Sequence, residues 1–137
     1  MAATIAAITP DGWQMGRGYQ HATVAEGATR LVNIAGQVDG SGGLPPAAFS
    51  KDIVAQFQGA LTNFKTVLES AGGSAADLTS MTIYTTDVDA YRRNLKGIGA
   101  AWIALFGEVF PAMTLVGVTE LFDAGATIEI DGTAVLG

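Results

Sequence analysis

The sequence of 137 residues predicts an α+β fold, in which a mixed β-sheet carries two helices on one face. Short segments rich in β-branched residues alternate with two long segments of helical period, in the order β-β-β-α-β-α-β-β. Apolar residues make up 49% of the chain and charged residues only 15%, where about 25% is usual. Because residues 1–137 form one predicted domain with few charges to cover its surface, we expect the bare sheet face to be buried between subunits.

Three strands are expected before the first helix. Thr4–Ile8 is a short apolar segment of strand type. His21–Ala25 and Leu31–Ile34 flank a turn at residues 26–27, which predicts a β-hairpin. Glycine and proline in the following segment, residues 40–46, predict an irregular loop.

Two helices are predicted from their ends and their apolar periodicity. The first begins after Ser50, a residue type that caps helix N-termini, and ends at Gly72 and Gly73. The second begins near Asp87–Asp89 and ends at Gly107. Its apolar residues recur at helical spacing and predict one inward face. That face comprises Tyr91, Leu95, Ile98, Trp102, Leu105 and Phe106.

Three further strands are predicted around the second helix. Met81–Thr86 precedes the helix, and Ala112–Leu121 and Thr127–Leu136 follow it. Strands joined by long helical crossovers place both helices on one face of the sheet. The other face is then left without a covering element from the same chain.

The composition argues against several classes of partner. The net charge is −6, and only Arg92, Arg93 and Lys96 lie close together among the seven basic residues, so we expect no nucleic acid partner. The chain has no cysteine and its one histidine is His21, so we expect no metal site. We likewise expect no cofactor.

The hydropathy pattern predicts neither a membrane span nor a signal peptide. The longest stretch without a charged residue is Ile53–Phe64, which is shorter than the roughly 20 residues that a span needs. The segment from Met1 to Trp13 lacks a basic start and is interrupted by Pro10. Without a targeting segment, we expect the protein to be cytoplasmic.

Several motifs occur in a recognisable order along the chain. The C-terminal half contains "TTDVDAY", "LFG", "FPAMTLVGVTEL" and "ATIEIDGTAV", preceded by "NIAGQV" at residues 33–38 and by the helical "DIVAQFQGALTNFKTVLESAGGSAADL". In this order the sequence resembles the RidA (YjgF-like) family over about residues 17–136. The resemblance implies a chorismate-mutase-like fold and a homotrimer with small-molecule clefts between its subunits.

The activity that this resemblance implies is hydrolysis of reactive enamines and imines, released by pyridoxal-phosphate enzymes, to ketoacids and ammonium. In active members an arginine in a P-A-R-S/T motif binds the substrate carboxylate with two parallel donors. This sequence reads Pro111-Ala112-Met113-Thr114. Because a thioether does not pair with a carboxylate, we expect typical 2-imino acid deamination to be weak or absent. Met113 either lines an apolar, adaptable cleft or is ordinary packing at a strand start.

Two residues are candidates for catalysis. The segment Ile128-Glu129-Ile130-Asp131 alternates, which places both acids on one strand face about 7 Å apart. The resemblance implies that Glu129 orients the attacking water, and a carboxylate beside apolar walls can act as an acid or base. The alternative is that these acids point at solvent or pair with a neighbour. Tyr19 approximately matches a family tyrosine at the cleft mouth.

The remaining candidates are implied to bind substrate. Arg17 either supplies a substitute cation or is a solvated surface residue. Gly36 and Gln37 either hold a ligand through the backbone or form a bulge. His21 is interpreted as structural. The full set of substrate-binding candidates is Met113, Thr114, Phe110, Gly36, Gln37, Tyr84 and Arg17.

Two hypotheses of function remain open at this point. The first is a hydrolase or deaminase-like enzyme of the RidA superfamily that acts on an unidentified small imine, enamine or carbonyl compound. The second is a non-catalytic trimer that binds or senses a small ligand in the same cleft. An RNA-cleaving activity, which has been attached to family relatives, is disfavoured by the acidic charge.

Overall fold

A computed structural model describes residues 3–137 of the chain. Met1 and Ala2, which belong to the segment considered for a signal peptide, lie outside the described residues. The elements are β1 (Thr4–Ile8), β2 (Ala22–Glu26), β3 (Arg30–Gln37), α1 (Ile53–Ser70), a 3₁₀ turn (Ala75–Asp77), β4 (Leu78–Thr85), α2 (Val88–Arg93), α3 (Leu95–Phe106), β5 (Ala112–Gly117) and β6 (Ile128–Leu136).

The main sheet is mixed and has the strand order β3-β6-β4-β5. The β3–β6 and β6–β4 pairs are antiparallel, whereas β4 and β5 are parallel, with α2 and α3 in the crossover between them. This arrangement confirms the predicted α+β class and mixed sheet. A separate two-stranded antiparallel sheet is formed by β1 and β2.

The predicted hairpin between the second and third strands is wrong. Gly27 does turn the chain, with a positive φ of 73° that suits glycine. However, the backbone N–H of Thr29 donates to Leu136 O at 2.9 Å, so the chain joins β6 as β3 begins. The β2 strand pairs with β1 instead, through five residue pairs from Thr4–Glu26 to Ile8–Ala22.

The second predicted helix is divided in two at Asn94. This residue leaves helical geometry, with φ −119° and ψ 22°. Its side-chain Nδ2 donates to Ala90 O at 2.7 Å, which is the competition with the helical backbone that asparagine often makes. The described residues therefore contain three α-helices, and α3 alone carries the buried Ile98, Trp102 and Phe106.

Alternation along β6 separates the two faces of the main sheet. Ile128, Ile130 and the other even-numbered positions are buried against the helices. Their principal partners on α1, the residues Phe57, Leu61, Phe64 and Leu68, are almost completely buried. Each such side chain stabilises the fold by roughly 1.5–3 kcal/mol through burial. The odd-numbered positions, which include Glu129 and Asp131, lie half-buried on the opposite face.

The opposite face of the sheet, which we call the open face, is defined by Leu31, Thr114, Val116, Glu129 and Asp131. These residues occupy alternate positions of their strands, on the side of the sheet away from the helices. Leu31 is 66% exposed there. No helix of residues 3–137 is long and apolar enough to cross a bilayer. Leu31 and Val116 leave apolar side chains exposed on the open face.

Gln56 joins α1 to the segment before β6. It is 1% exposed, and its Nε2 donates to Ser50 O at 2.7 Å and to Gly125 O at 3.1 Å. Its Oε1 accepts from the Thr127 backbone N–H at 2.8 Å. These three bonds position the segment that leads into Glu129.

Gln56→Leu is therefore expected to lower the free energy of unfolding by about 2–4 kcal/mol, because three backbone groups lose the hydrogen-bond partner that the buried Gln56 side chain supplies. Urea unfolding followed by circular dichroism measures the change. Gln58→Leu makes the same substitution at an exposed position two residues further along α1. It is the control and should change stability by less than about 0.5 kcal/mol. Equal shifts of the two midpoints would contradict this role for Gln56.

Candidate functional site

One chain has two cavities that contain the predicted site residues. The aromatic cavity, lined by Arg17, Tyr19, Tyr91, Trp102, Phe110 and Met113 with neighbouring apolar groups, has a volume of about 350 Å³. The acidic cavity, lined by Gly36, Gln37, Asn63, Phe122, Asp123 and Glu129 with neighbouring loop residues, has a volume of about 370 Å³. Both volumes lie in the range of small-molecule sites.

The walls of the aromatic cavity are fixed by packing between α3 and β5. The rings of Trp102 and Phe110 are stacked, with centroids 5.7 Å apart and planes at 16°. The Trp102 Nε1–H donates to Val109 O at 3.0 Å, which fixes the orientation of the indole. Met113 lies beside Met81 in the parallel β4–β5 pair and packs against the hydrophobic core from the helix side. The thioether is therefore part of an apolar wall that packs against the core.

Tyr91 contributes a phenol to the same cavity. Burial raises the pKa of the Tyr91 hydroxyl to about 12, so this group stays protonated at neutral pH. Its ring packs edge-on against Phe57 with centroids 6.2 Å apart. Tyr91 and Trp102 are site residues that sequence reasoning placed only in the core, because an inward helical face does not distinguish a cavity wall from solid packing.

The N-terminal segment brings Arg17 and Tyr19 to the rim of the aromatic cavity. The Gln20 N–H donates to Pro111 O at 2.9 Å and ties the segment to the start of β5. Gly18 has a φ of 74°, a conformation that L side chains rarely adopt, and it lies between the two site residues. The segment is thus positioned next to the Phe110–Met113 wall by its own backbone.

His21 supports this segment. Its ring is edge-on to Tyr19 and to Trp13, with centroids 5.3 Å apart in each case. Its Nε2 lies 2.9 Å from Gln14 O, a hydrogen-bond distance. His21 lines neither of the two cavities. These contacts agree with its interpretation as a structural residue.

The position of the Glu129 carboxyl group in the acidic cavity depends on Gly36. The β3 strand carries a bulge between Ile34 and Gln37 where it pairs with β6. A Cβ atom built at residue 36 would overlap Glu129 Oε2 and would lie 2.8 Å from its Cδ. Glycine at this position therefore lets the carboxyl group lie directly against the β3 backbone.

The surroundings of the Glu129 carboxyl group in the acidic cavity shift its pKa. Burial raises the pKa of Glu129, and the negative charges of Asp123 and Asp131 raise it further. Asp131 accepts a hydrogen bond from the Tyr84 hydroxyl at 3.0 Å. A carboxyl group whose pKa lies nearer to neutrality can exchange a proton with a bound compound more readily than an ordinary glutamate.

The predicted site residues do not form one cluster within a chain. Met113 lies on the helix side of the sheet, whereas Glu129 lies on the open face. Met113 pairs with Met81 in the β4–β5 register, and Met81 pairs with Gly132 in the β4–β6 register. Met113 is therefore beside Gly132, which is three residues from Glu129 along β6. This separation is about 10 Å in the strand direction alone.

The structure therefore divides the predicted set between the two cavities. Arg17, Tyr19, Phe110 and Met113 line the aromatic cavity, and Gly36, Gln37 and Glu129 line the acidic one. Thr114 lies on the open face, and Tyr84 points to Asp131, so neither lines a cavity of the single chain. Within residues 3–137 no three His, Cys, Asp or Glu side chains form a group suited to a metal ion. The binding roles of the individual residues stay predictions.

Sequence reasoning also missed Asp123 and Asn63. The Asn63 Nδ2 donates to Val38 O at 2.8 Å and to Gly40 O at 3.2 Å, which holds the loop after β3 against α1. Asp123 comes from the segment between β5 and β6 and adds charge near Glu129. Both roles depend on contacts between distant segments, and no local pattern in the sequence signals them.

A mixed sheet with helices on one face and an open second face defines an α+β protein, and its two cavities contain most of the predicted site residues. The family described as Endoribonuclease L-PSP matches residues 14–136. The 2-iminobutanoate/2-iminopropanoate deaminase of Salmonella typhimurium is 30% identical over 111 residues, which cover 76% of this chain and 83% of that protein.

Solved structures agree with this match. YyfB of Yersinia pestis, described as a Rid-family protein of unknown function, is 31% identical, with a TM-score of 0.79 over 97% of this chain and 99% of that one. The YjgF protein of E. coli is 28% identical, with a TM-score of 0.61 over 94% of this chain and 92% of that one. The chain belongs to the Endoribonuclease L-PSP family, which confirms the resemblance to the RidA (YjgF-like) proteins.

Proposed function

We propose that the chain is a deaminase-like hydrolase of the RidA family that acts on a small imine, enamine or carbonyl compound. The observation that carries this proposal is Glu129, a cavity carboxyl group with a raised pKa, held directly against Gly36. The activity named for the Salmonella relative supports the reaction class. Glu129 is the proton donor or water-orienting group, and the Tyr19 hydroxyl supports it.

The complete site is proposed to form between two subunits of a homotrimer. Glu129 and Met113 lie on opposite faces of the same sheet, so one chain does not bring them to the same ligand. A neighbouring subunit that covers the open face can place its aromatic cavity against the acidic cavity. The exposed Leu31 and Val116 on the open face supply apolar surface for this contact.

The substrate proposal follows from the aromatic cavity. Met113 and Phe110 shape an apolar wall, and Met113 offers no donor to a carboxylate at that position. We therefore propose that typical 2-imino acid deamination is weak or absent. Backbone groups at Gly36 and Gln37 are proposed to hold a carbonyl or related acceptor beside Glu129, with Thr114 and Tyr84 at the subunit contact.

A non-catalytic ligand-binding trimer is the second candidate function, and the apolar wall at Met113 is the observation that favours it. The two functions differ in what Glu129 does: an enzyme loses turnover without it, whereas a binding protein keeps its ligand. We also propose that the protein is cytoplasmic. A nucleic acid partner is not proposed, since the net charge is −6 and Arg92 is paired with Asp89 at 3.4 Å.

The intersubunit site is tested by the mass in solution. At micromolar concentration, light scattering should give three times the 14.0 kDa of one chain. Val116→Lys on the open face should shift the mass toward that of the monomer, because it buries a charge at the contact. Val67→Lys on the outer side of α1 is the matched control, since both valines are 38% exposed, and it should leave the trimer intact. A native monomer, or equal effects of the two variants, would overturn the proposal.

A further inference from the structure

The aromatic cavity differs from the acidic cavity in the charge that it presents. Arg17 is the one charged residue among its lining side chains in the described part of the chain, and no acid lines it. Arg17 has no carboxylate within salt-bridge distance among residues 3–137, where the pair Arg92–Asp89 is the ion pair present. The guanidinium at the rim is therefore available to an external anion.

The body of the cavity suits a flat apolar group. The stacked rings of Trp102 and Phe110 form one wall, and the thioether of Met113 forms part of another. Flat rings prefer offset or edge contacts with such walls, and a thioether adapts to an aromatic edge. The Tyr91 hydroxyl stays protonated at neutral pH and can donate a hydrogen bond within the cavity.

From this arrangement we infer that the aromatic cavity binds a small aromatic anion, with its ring between the Trp102–Phe110 stack and Met113 and its charge on Arg17. The inference deepens the proposed function, because it names the ligand class for one half of the proposed cleft. Arg17 is exposed and lies at the rim, whereas Met113 is half-buried inside. A short aliphatic imino acid whose carboxylate reaches Arg17 therefore leaves the apolar body of the cavity empty.

Binding of phenylacetate and of its neutral isostere phenylacetamide tests the inference by calorimetry on the native protein. Phenylacetate should bind about tenfold or more tightly than phenylacetamide, since a charge-assisted bond to guanidinium contributes roughly a factor of ten or more. Acetate, which has the charge without the ring, should not bind measurably at millimolar concentration.

Arg17→Gln should remove the difference between the two aromatic probes by weakening phenylacetate alone. Arg93→Gln removes the same charge from the exposed end of α2, outside the aromatic cavity, and should leave the difference unchanged. Equal affinity of both probes in the native protein would overturn the inference. So would binding of neither probe, the result expected if a side chain of a second copy fills the cavity.

The readout is independent of catalysis, so failure of the inference and failure of the proposed function are distinguishable. Probe affinity is measured on the native protein without any turnover. A preference for phenylacetate over phenylacetamide in a native protein that shows no turnover would support the ligand class and contradict the enzymatic proposal. Loss of the preference for phenylacetate in a protein that retains turnover would contradict the ligand class and support the enzymatic proposal.

Discussion

Glu129→Gln is expected to lower the turnover number by about 10²–10⁴-fold, because a positioned acid or base contributes that much to proton transfer. Turnover is measured as ammonium released from 2-imino-3-phenylpropanoate. This imine carries the aromatic ring and the anionic group inferred above, and it differs in its ring from the short aliphatic 2-imino acids for which we expect weak or absent activity. Glutamine keeps the size of the side chain but does not exchange its proton at neutral pH. A turnover number unchanged by Glu129→Gln would contradict the assigned role.

The same substitution should stabilise the fold at neutral pH. The folded state raises the pKa of Glu129, so the contribution of this group to stability is fully present below its unfolded pKa and is lost as pH rises through its folded pKa. Glutamine resembles the protonated form at every pH. Glu129→Gln should therefore raise Tm relative to the native protein at pH 8, and this difference should shrink toward pH 4. Glu120→Gln, at an exposed acid outside the acidic cavity, is the charge-matched control.

Gly36→Ala tests the geometry behind this effect. The new Cβ overlaps the carboxyl group of Glu129, so the side chain must move and turnover should fall with it. Overpacking of this kind destabilises a protein by about 1–3 kcal/mol. In a Glu129→Ala background the overlap is absent, so the same glycine substitution should have little effect on stability. Strictly additive effects of the two substitutions would show that Gly36 and Glu129 do not act together.

Local periodicity predicted the helices well but did not specify strand partners. The apolar residues of α1 recur at helical spacing from Ile53 to Leu68, and most are buried as this pattern requires. The turn at Gly27 looks the same in sequence whether β3 returns to β2 or continues to another strand. The outcome depends on β6, whose Leu136 accepts the Thr29 N–H more than one hundred residues away in sequence. Pairing between distant strands is a tertiary property and is not encoded in a short window.

The break between α2 and α3 at Asn94 is a second feature that the local sequence pattern did not predict. An asparagine in a helical pattern is tolerated in many proteins, and here its side chain bonds Ala90 O and ends α2. Tyr91 before the break and Ile98 after it both pack with the core. Leu95, which the periodicity predicts to face inward, is 57% exposed beside the break. Periodicity alone gives no sign of this interruption.

The candidate site could be predicted only in part, because its arrangement also depends on pairing between distant strands. The motif around Pro111 and the alternating segment around Glu129 gave candidate positions through resemblance, and the roles of these positions stay predictions. Strand alternation fixes which neighbours share a face, but it does not say that Met113 and Glu129 face opposite sides. That conclusion needs the register of β4 against both β5 and β6. The register is also the reason why we propose that a cleft containing both residues forms between two subunits.

Met113→Arg is expected to raise ammonium release from 2-iminobutanoate by about tenfold or more over the native protein. The guanidinium supplies the two parallel donors that a carboxylate needs, and the nearby faces of Trp102 and Phe110 can stack on it. The native protein should release little ammonium above background from this substrate. The expected gain corresponds to roughly 1.4 kcal/mol or more of transition-state stabilisation.

The controls separate the charge from its geometry. Met113→Leu conserves apolar volume and should leave the low native rate unchanged. Met113→Lys adds a charge without the planar fork, so its gain should be smaller than that of arginine. Adding Glu129→Gln to Met113→Arg should remove the gain, because turnover still requires the Glu129 carboxyl group on the other side of the cleft. Rapid release of ammonium by the native protein would show that the thioether at position 113 does not limit the reaction, and that another donor already binds the substrate carboxylate.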